Sequence, residues 1–118
     1  MEHITPEEQQ QSIEAFQSII RKSETALTNM KPGTSQKKLL EKRLDAARIG
    51  KKVLHARWED KKLDVSKEEL LAAKEVLEGL LLTLPSFLEK TKPGSGQRTY
   101  IKRRIKAFQI AVRYMDDY

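Results

Sequence analysis

The apolar positions of the chain fall into four stretches with steps of three and four residues, the period of a helix that buries one side. In the first they are Ile13, Phe16, Ile20, Leu27 and Met30, with Ser23 occupying the gap. The second reads Leu40, Leu44, Ala47, Leu54 and Trp58, and the third Leu70, Ala73, Leu77, Leu80, Leu84 and Phe87. The fourth reads Ile101, Ile105, Phe108, Val112 and Met115. These stripes predict helices over about 6–30, 36–61, 67–90 and 97–116. Stripes of this kind face their neighbours at shallow crossing angles, and short connections turn successive helices antiparallel.

The boundaries carry their own chemistry. Thr5 precedes Pro6 and Glu8, and Ser66 precedes Lys67 and Glu69. In each case a hydroxyl can cap a backbone N–H while the Glu three residues on reaches back, and Pro6 stands at the first helical position, where a missing N–H is harmless. Lys31-Pro32-Gly33 and Lys92-Pro93-Gly94 then break the pattern, since Pro cannot continue a helix and Gly permits the reversal.

These signals recur at one spacing. An offset of 61 residues aligns 5–57 with 66–118 without a gap, placing Gln36 on Gln97, Arg43 on Arg104, Ala46 on Ala107 and Ile49 on Ile110. The expectation is two tandem αα-hairpin repeats folded as one all-α domain, 1–118, an antiparallel up-down-up-down four-helix bundle. The same offset makes Leu40 equivalent to Ile101 and Leu44 to Ile105, and all four are expected in the core. One residue breaks the local rules: Pro85, inside the third helix, removes the bond to the Leu81 carbonyl and is expected to bend or divide it.

Composition narrows the class of molecule. A chain of 118 residues with 38% hydrophobic residues supports one core and no second domain. It has no cysteine, which removes disulfides, thiolate catalysis and Cys-ligated zinc, and fits a cytoplasmic location. The acidic opening Glu2 to Glu8 has no apolar segment of a signal peptide, and the longest aliphatic run, Leu80-Leu81-Leu82, is far short of the roughly 18 residues of a membrane span. No membrane partner is expected.

Catalytic chemistry is thin. The two histidines, His3 and His55, do not form a metal-ligand pair, and no Glu-x-x-His motif of a bundle metal centre is present. His55 reads as a solvated surface residue. Gly33 and Gly94-Ser95-Gly96 precede helices, but without a strand before them or a Gly-Lys-Ser/Thr sequence they read as helix ends and not as phosphate loops. The chain is therefore expected not to be an enzyme, with no cofactor, no metal, no catalytic residues and no small-molecule substrate.

Two surfaces remain. The net charge of +6 divides as −3 over 1–30, +7 over 31–62, −3 over 63–91 and +5 over 92–118, so acidic and basic helices alternate. The basic stretch of the second helix neutralises itself at spacings of three and four, as in Lys37 with Glu41 and Asp45 with Arg48. The fourth helix instead carries Arg98, Lys102, Lys106, Gln109 and Arg113 in a stripe about 22 Å long. On the third helix Leu71 and Leu82 fall beside Glu75 and Glu78 on the outward side, three turns apart. Leu71, Glu75, Glu78 and Leu82 are thus candidates for docking another protein or a second copy of the chain, and Arg98, Lys102, Lys106, Gln109 and Arg113 are candidates for a nucleic-acid contact. Trp58 is expected to plug the end of the core, and the acids Asp116 and Asp117, set against the helix dipole, to loosen the C-terminal turn.

Overall fold

The computed structural model of the chain describes residues 3–118. Met1 and Glu2, which open the acidic N-terminal stretch, lie outside the described residues. Four α-helices follow one another: α1 (Pro6–Thr28), α2 (Ser35–Trp58), α3 (Lys67–Glu89) and α4 (Gly96–Met115), with no strand among the described residues. No helix is long and apolar enough to cross a membrane.

Each helix begins on a hydroxyl. The Thr5 side chain accepts from the Glu8 N–H at 3.1 Å while the Glu8 carboxylate accepts from the Thr5 N–H at 3.2 Å. Ser66 and Glu69 repeat this reciprocal pair before α3. Two further caps were not read from the sequence: Thr34 accepts from Lys37 N–H, and Ser95 from Arg98 N–H, each at 3.1 Å. Gly33 and Gly94 turn the chain before these caps at φ of +82° and +78°, a region that costs glycine nothing.

Pro85 does not divide α3, which runs continuously from Lys67 to Glu89. The Thr83 and Ser86 hydroxyls, on either side of it, donate back to the carbonyls of Leu80 and Thr83 in the preceding turn. Of the two expected outcomes, a bend or a division, the division does not occur; packing along Leu70, Ala73, Leu77 and Leu84 runs through both parts of the helix.

The helices pack α1 on α2 and α4, and α3 on α2 and α4. The pair α2 and α4 also meets, whereas the backbones of α1 and α3 make no close approach. The molecule is flat, measuring 42 × 40 × 22 Å, and its short dimension is two helix diameters. Both helices of the α2–α4 pair carry small buried residues, Ala46 and Ala47 on α2 and Ala107 and Ala111 on α4, and small side chains allow a short interaxial distance.

At the centre, Phe16 of α1 and Phe108 of α4 are buried with ring centroids 5.4 Å apart and planes tilted by 43°, a favourable arrangement for the ring quadrupoles. Phe16 lies over Gly50 of α2. A Cβ there would stand 2.6 Å from the ring, so this position has room only for hydrogen.

Two expectations about the core need correction. Leu44 and Ile101 are buried, but Leu40 and Ile105 are only half-buried, because each borders a surface cavity. Phe87 is 53% exposed; it lies beyond Leu84, the last buried residue of α3, and its ring is covered only by the Lys90 ammonium at 5.7 Å. The C-terminal acids, beyond the end of α4, pair with other helices, Asp116 with Lys74 of α3 and Asp117 with Arg57 of α2 at 2.9 Å. Asp116 raises the Lys74 pKa above its ordinary value in turn.

Candidate functional site

The outward side of α3 is open to solvent. Leu82 is 84% exposed and Leu71 57% exposed, with Glu75 and Glu78 in solvent between them. Pro85 does not turn Leu82 inward. Glu75 also borders a groove of about 580 Å³ between α3 and α2, where Glu69 and Glu75 share the walls with Lys42, Arg48 and Lys52. The acidic and basic helices thus meet along their length with complementary charge, which favours this neighbour pairing over like-charged ones.

The α4 stripe is split by its surroundings. Lys102, Lys106, Gln109 and Arg113 line one groove of about 630 Å³ together with His3, Ile4 and Ile105, while Arg98 stands apart. Arg98 donates to the Leu88 carbonyl at 3.0 Å, closing the end of α3, and Lys106 pairs with Glu8 at the start of α1. The sequence pattern places the five side chains on one side of a helix, but their partners lie on other elements and only the fold shows them.

A second basic surface was not singled out from the sequence. Arg48, Lys51, Lys52, Lys61 and Lys62 surround a groove of about 580 Å³ whose floor is Ile20, Ala56 and Leu63. Arg48 is drawn to Glu24 at 2.8 Å. The signal available in the sequence was the +7 of residues 31–62, which the self-pairing of α2 seemed to absorb.

His55 lies at the surface, with part of its ring in solvent. It is paired with Glu59, one turn on, and the hydrogen bonds from His55 and then Lys61 hold the Glu59 carboxyl below its ordinary range. Trp58 is half-buried, donates from Nε1 to the Tyr114 hydroxyl at 2.9 Å, and stacks edge-on against that ring at 6.0 Å. Among the described residues no three His, Cys, Asp or Glu side chains converge as a metal site would require.

Tyr100 of α4 gathers the densest polar cluster, and no apolar or charged pattern had marked it. Its hydroxyl receives hydrogen bonds from Lys22 at 3.0 Å and Arg104 at 2.9 Å, and exchanges a third with Ser18. The same two cations lie over its ring, at 4.4 and 4.9 Å from the centroid. Partial burial pushes the phenol pKa up, but the hydrogen bonds from Ser18 and Lys22 and the charge of Arg104 outweigh that and hold it at about 8, below the ordinary 10.

Comparison of the chain with protein-family models, curated proteins and solved structures found no match, so its function is argued from these surfaces alone.

Proposed function

We propose that the chain is a non-enzymatic helical binding module that docks the outward face of α3 onto another protein or a second copy of itself. The observation that carries this is the exposure of Leu71 and Leu82 on one line, with Glu75 and Glu78 between them. Two leucines so placed gain nothing for an isolated molecule, and burying each is worth about 1.5–3 kcal/mol. The acids would form a polar rim selecting a partner with a cationic edge and an apolar floor. The groove at Ile20, Ala56 and Leu63 has that character, which makes a second copy one natural occupant. A cytoplasmic location belongs to the same reading and rests on the absence of cysteine.

The architecture we propose behind this module is two copies of one αα-hairpin running up-down-up-down. Its support is the offset of 61 residues shared by the caps, Thr5 with Ser66 and Thr34 with Ser95, and by the left-handed glycines Gly33 and Gly94.

A nucleic-acid contact through α4 is the second reading, favoured by the gathering of Lys102, Lys106, Gln109 and Arg113 along one groove. It is the weaker one because Arg98 and Lys106 already have protein partners. Phosphates would compete with these, so the salt dependence would be shallower than the log–log slope of about −3.6 that four phosphate contacts give.

Sedimentation of the wild type and of L71Q/L82Q distinguishes the readings. Docking through α3 predicts self-association or capture of a protein partner that weakens by about 100-fold or more in the double variant, with helical content unchanged. Association that is indifferent to both leucines, or binding of duplex DNA or RNA at low salt that K102E/K106E abolishes, would overturn it in favour of another surface.

A further inference from the structure

A cavity of about 270 Å³ opens between all four helices next to Tyr100. Its apolar walls come from Ile19 of α1, Leu40 of α2, Leu77, Leu80 and Leu84 of α3, and Phe108 of α4. The only charged side chains that line it are Lys22, Arg43 and Arg104, and no carboxylate does. A mostly apolar cleft with a few convergent polar groups is the usual form of a small-ligand site.

Those cations are arranged differently from the acid-paired ones. Arg48 meets Glu24, Arg57 meets Asp117, and Lys106 meets Glu8. Lys22 and Arg104 instead converge on one phenol, and neither has a carboxylate partner. The Arg104 Nε is buried and has no hydrogen-bond partner, a costly condition for a charged donor. A guanidinium held on Tyr100 through Nη2, with no acid paired to it among the described residues, leaves positive charge beside the cavity for an anion to neutralise. Arg43, at the position 61 residues before Arg104, brings a second guanidinium to the same cavity from α2.

We infer that this cavity binds a small anionic amphiphile, its apolar tail among Leu77, Leu80, Leu84 and Phe108 and its carboxylate at Lys22, Arg43 and Arg104. A carboxylate suits the planar fork of arginine, which recognises two oxygens at once. The tail accounts for an aliphatic lining that a site for a free inorganic anion would not need. The site is separate from the α3 face, and neither proposal depends on the other.

Octanoate is the probe, with acetate carrying the head alone and 1-octanol the tail alone. Titrated into the full chain and followed by amide NMR, octanoate should bind at one saturable site, with shifts centred on the cavity-lining residues. It should bind at least about 10-fold more tightly than either control, the step of one decade per 1.4 kcal/mol that a single good contact supplies. R104Q should weaken it by about that factor. Because Arg104 also supports Tyr100, R43Q, at an exposed position, provides the independent check and should weaken octanoate while leaving octanol unchanged.

Tyr100 gives a second readout. The charged groups around it are Lys22 from α1 and Arg104 from α4, with Arg43 from α2 on the same cavity; α3 contributes only aliphatic side chains. A bound carboxylate lowers the positive potential at the phenol, so the tyrosinate transition near pH 8, identified by its loss in Y100F, should move up towards 10. Acetate binding as well as octanoate, octanol binding as well with R43Q silent, or no octanoate shifts at the cavity at about 5 mM, well above the millimolar affinity of a weak ligand, would each overturn the proposal.

Discussion

The halves α1–α2 and α3–α4 share their ends and differ in their middles. Positions 61 apart cap the helices with the same class of hydroxyl and reverse the chain at glycines with nearly the same φ. Inside, the equivalent residues diverge: Phe16 stands where the other half has Leu77, and Gly50 where it has Ala111. Ala47 in turn stands where α4 has Phe108. The exchange is one of volume, since the larger Phe16 side chain goes with the smaller Gly50 and each half contributes one phenylalanine to the central ring pair. Helix ends are decided by chemistry within four residues, so equivalent ends can stay alike. A core is close-packed, so equivalent core positions can change only together.

The largest test of that difference is in the core. Leu44→Ala should destabilise the chain by about 2–5 kcal/mol, as expected for a buried leucine, whereas Ile105→Ala, at the equivalent half-buried position, should cost distinctly less. Denaturant midpoints check this, and equal losses would mean that the halves pack alike. Next in size, Gly50→Ala should cost about 1–3 kcal/mol by overpacking against Phe16. Pairing it with Phe16→Leu reproduces the composition of the other half, and the double variant should be more stable than the sum of the single effects implies. Additive losses would break the idea of a volume exchange. Smallest are the caps: Thr34→Ala and Ser95→Ala should each cost about 1 kcal/mol, and by nearly the same amount. A large difference between them in thermal melting would show that the ends are less alike than their hydrogen bonds.

How far the sequence was legible follows the same division. The four helices and both capping boxes could be read because their signals are periodic or local. The outward placement of Leu71 and Leu82 followed from the helical wheel. The α2–α4 contact could not be read, because the small buried residues Ala46 and Ala107 belong to no single stripe. The surroundings of the α4 stripe could not be read for a related reason. Lys106 is paired by Glu8, distant in sequence, and Arg98 by the carbonyl that ends the preceding helix. Tyr100 escaped notice because it belongs to no stripe. Its environment is assembled from Ser18 and Lys22, about eighty residues away.

The pattern of helix neighbours also orders the ways in which the molecule can come apart. The backbones of α1 and α3 make no close approach, so either can loosen from α2 and α4 without breaking the other's backbone packing. α2 and α4 each pack against three helices, so neither can open without disturbing the whole fold. Local opening is therefore graded: α1 and α3 form two separate low-energy units, and the amides of α2 and α4 share the protection of the whole fold. A partner docked on α3 would raise the opening energy of that helix alone and leave α1 the first element to leave.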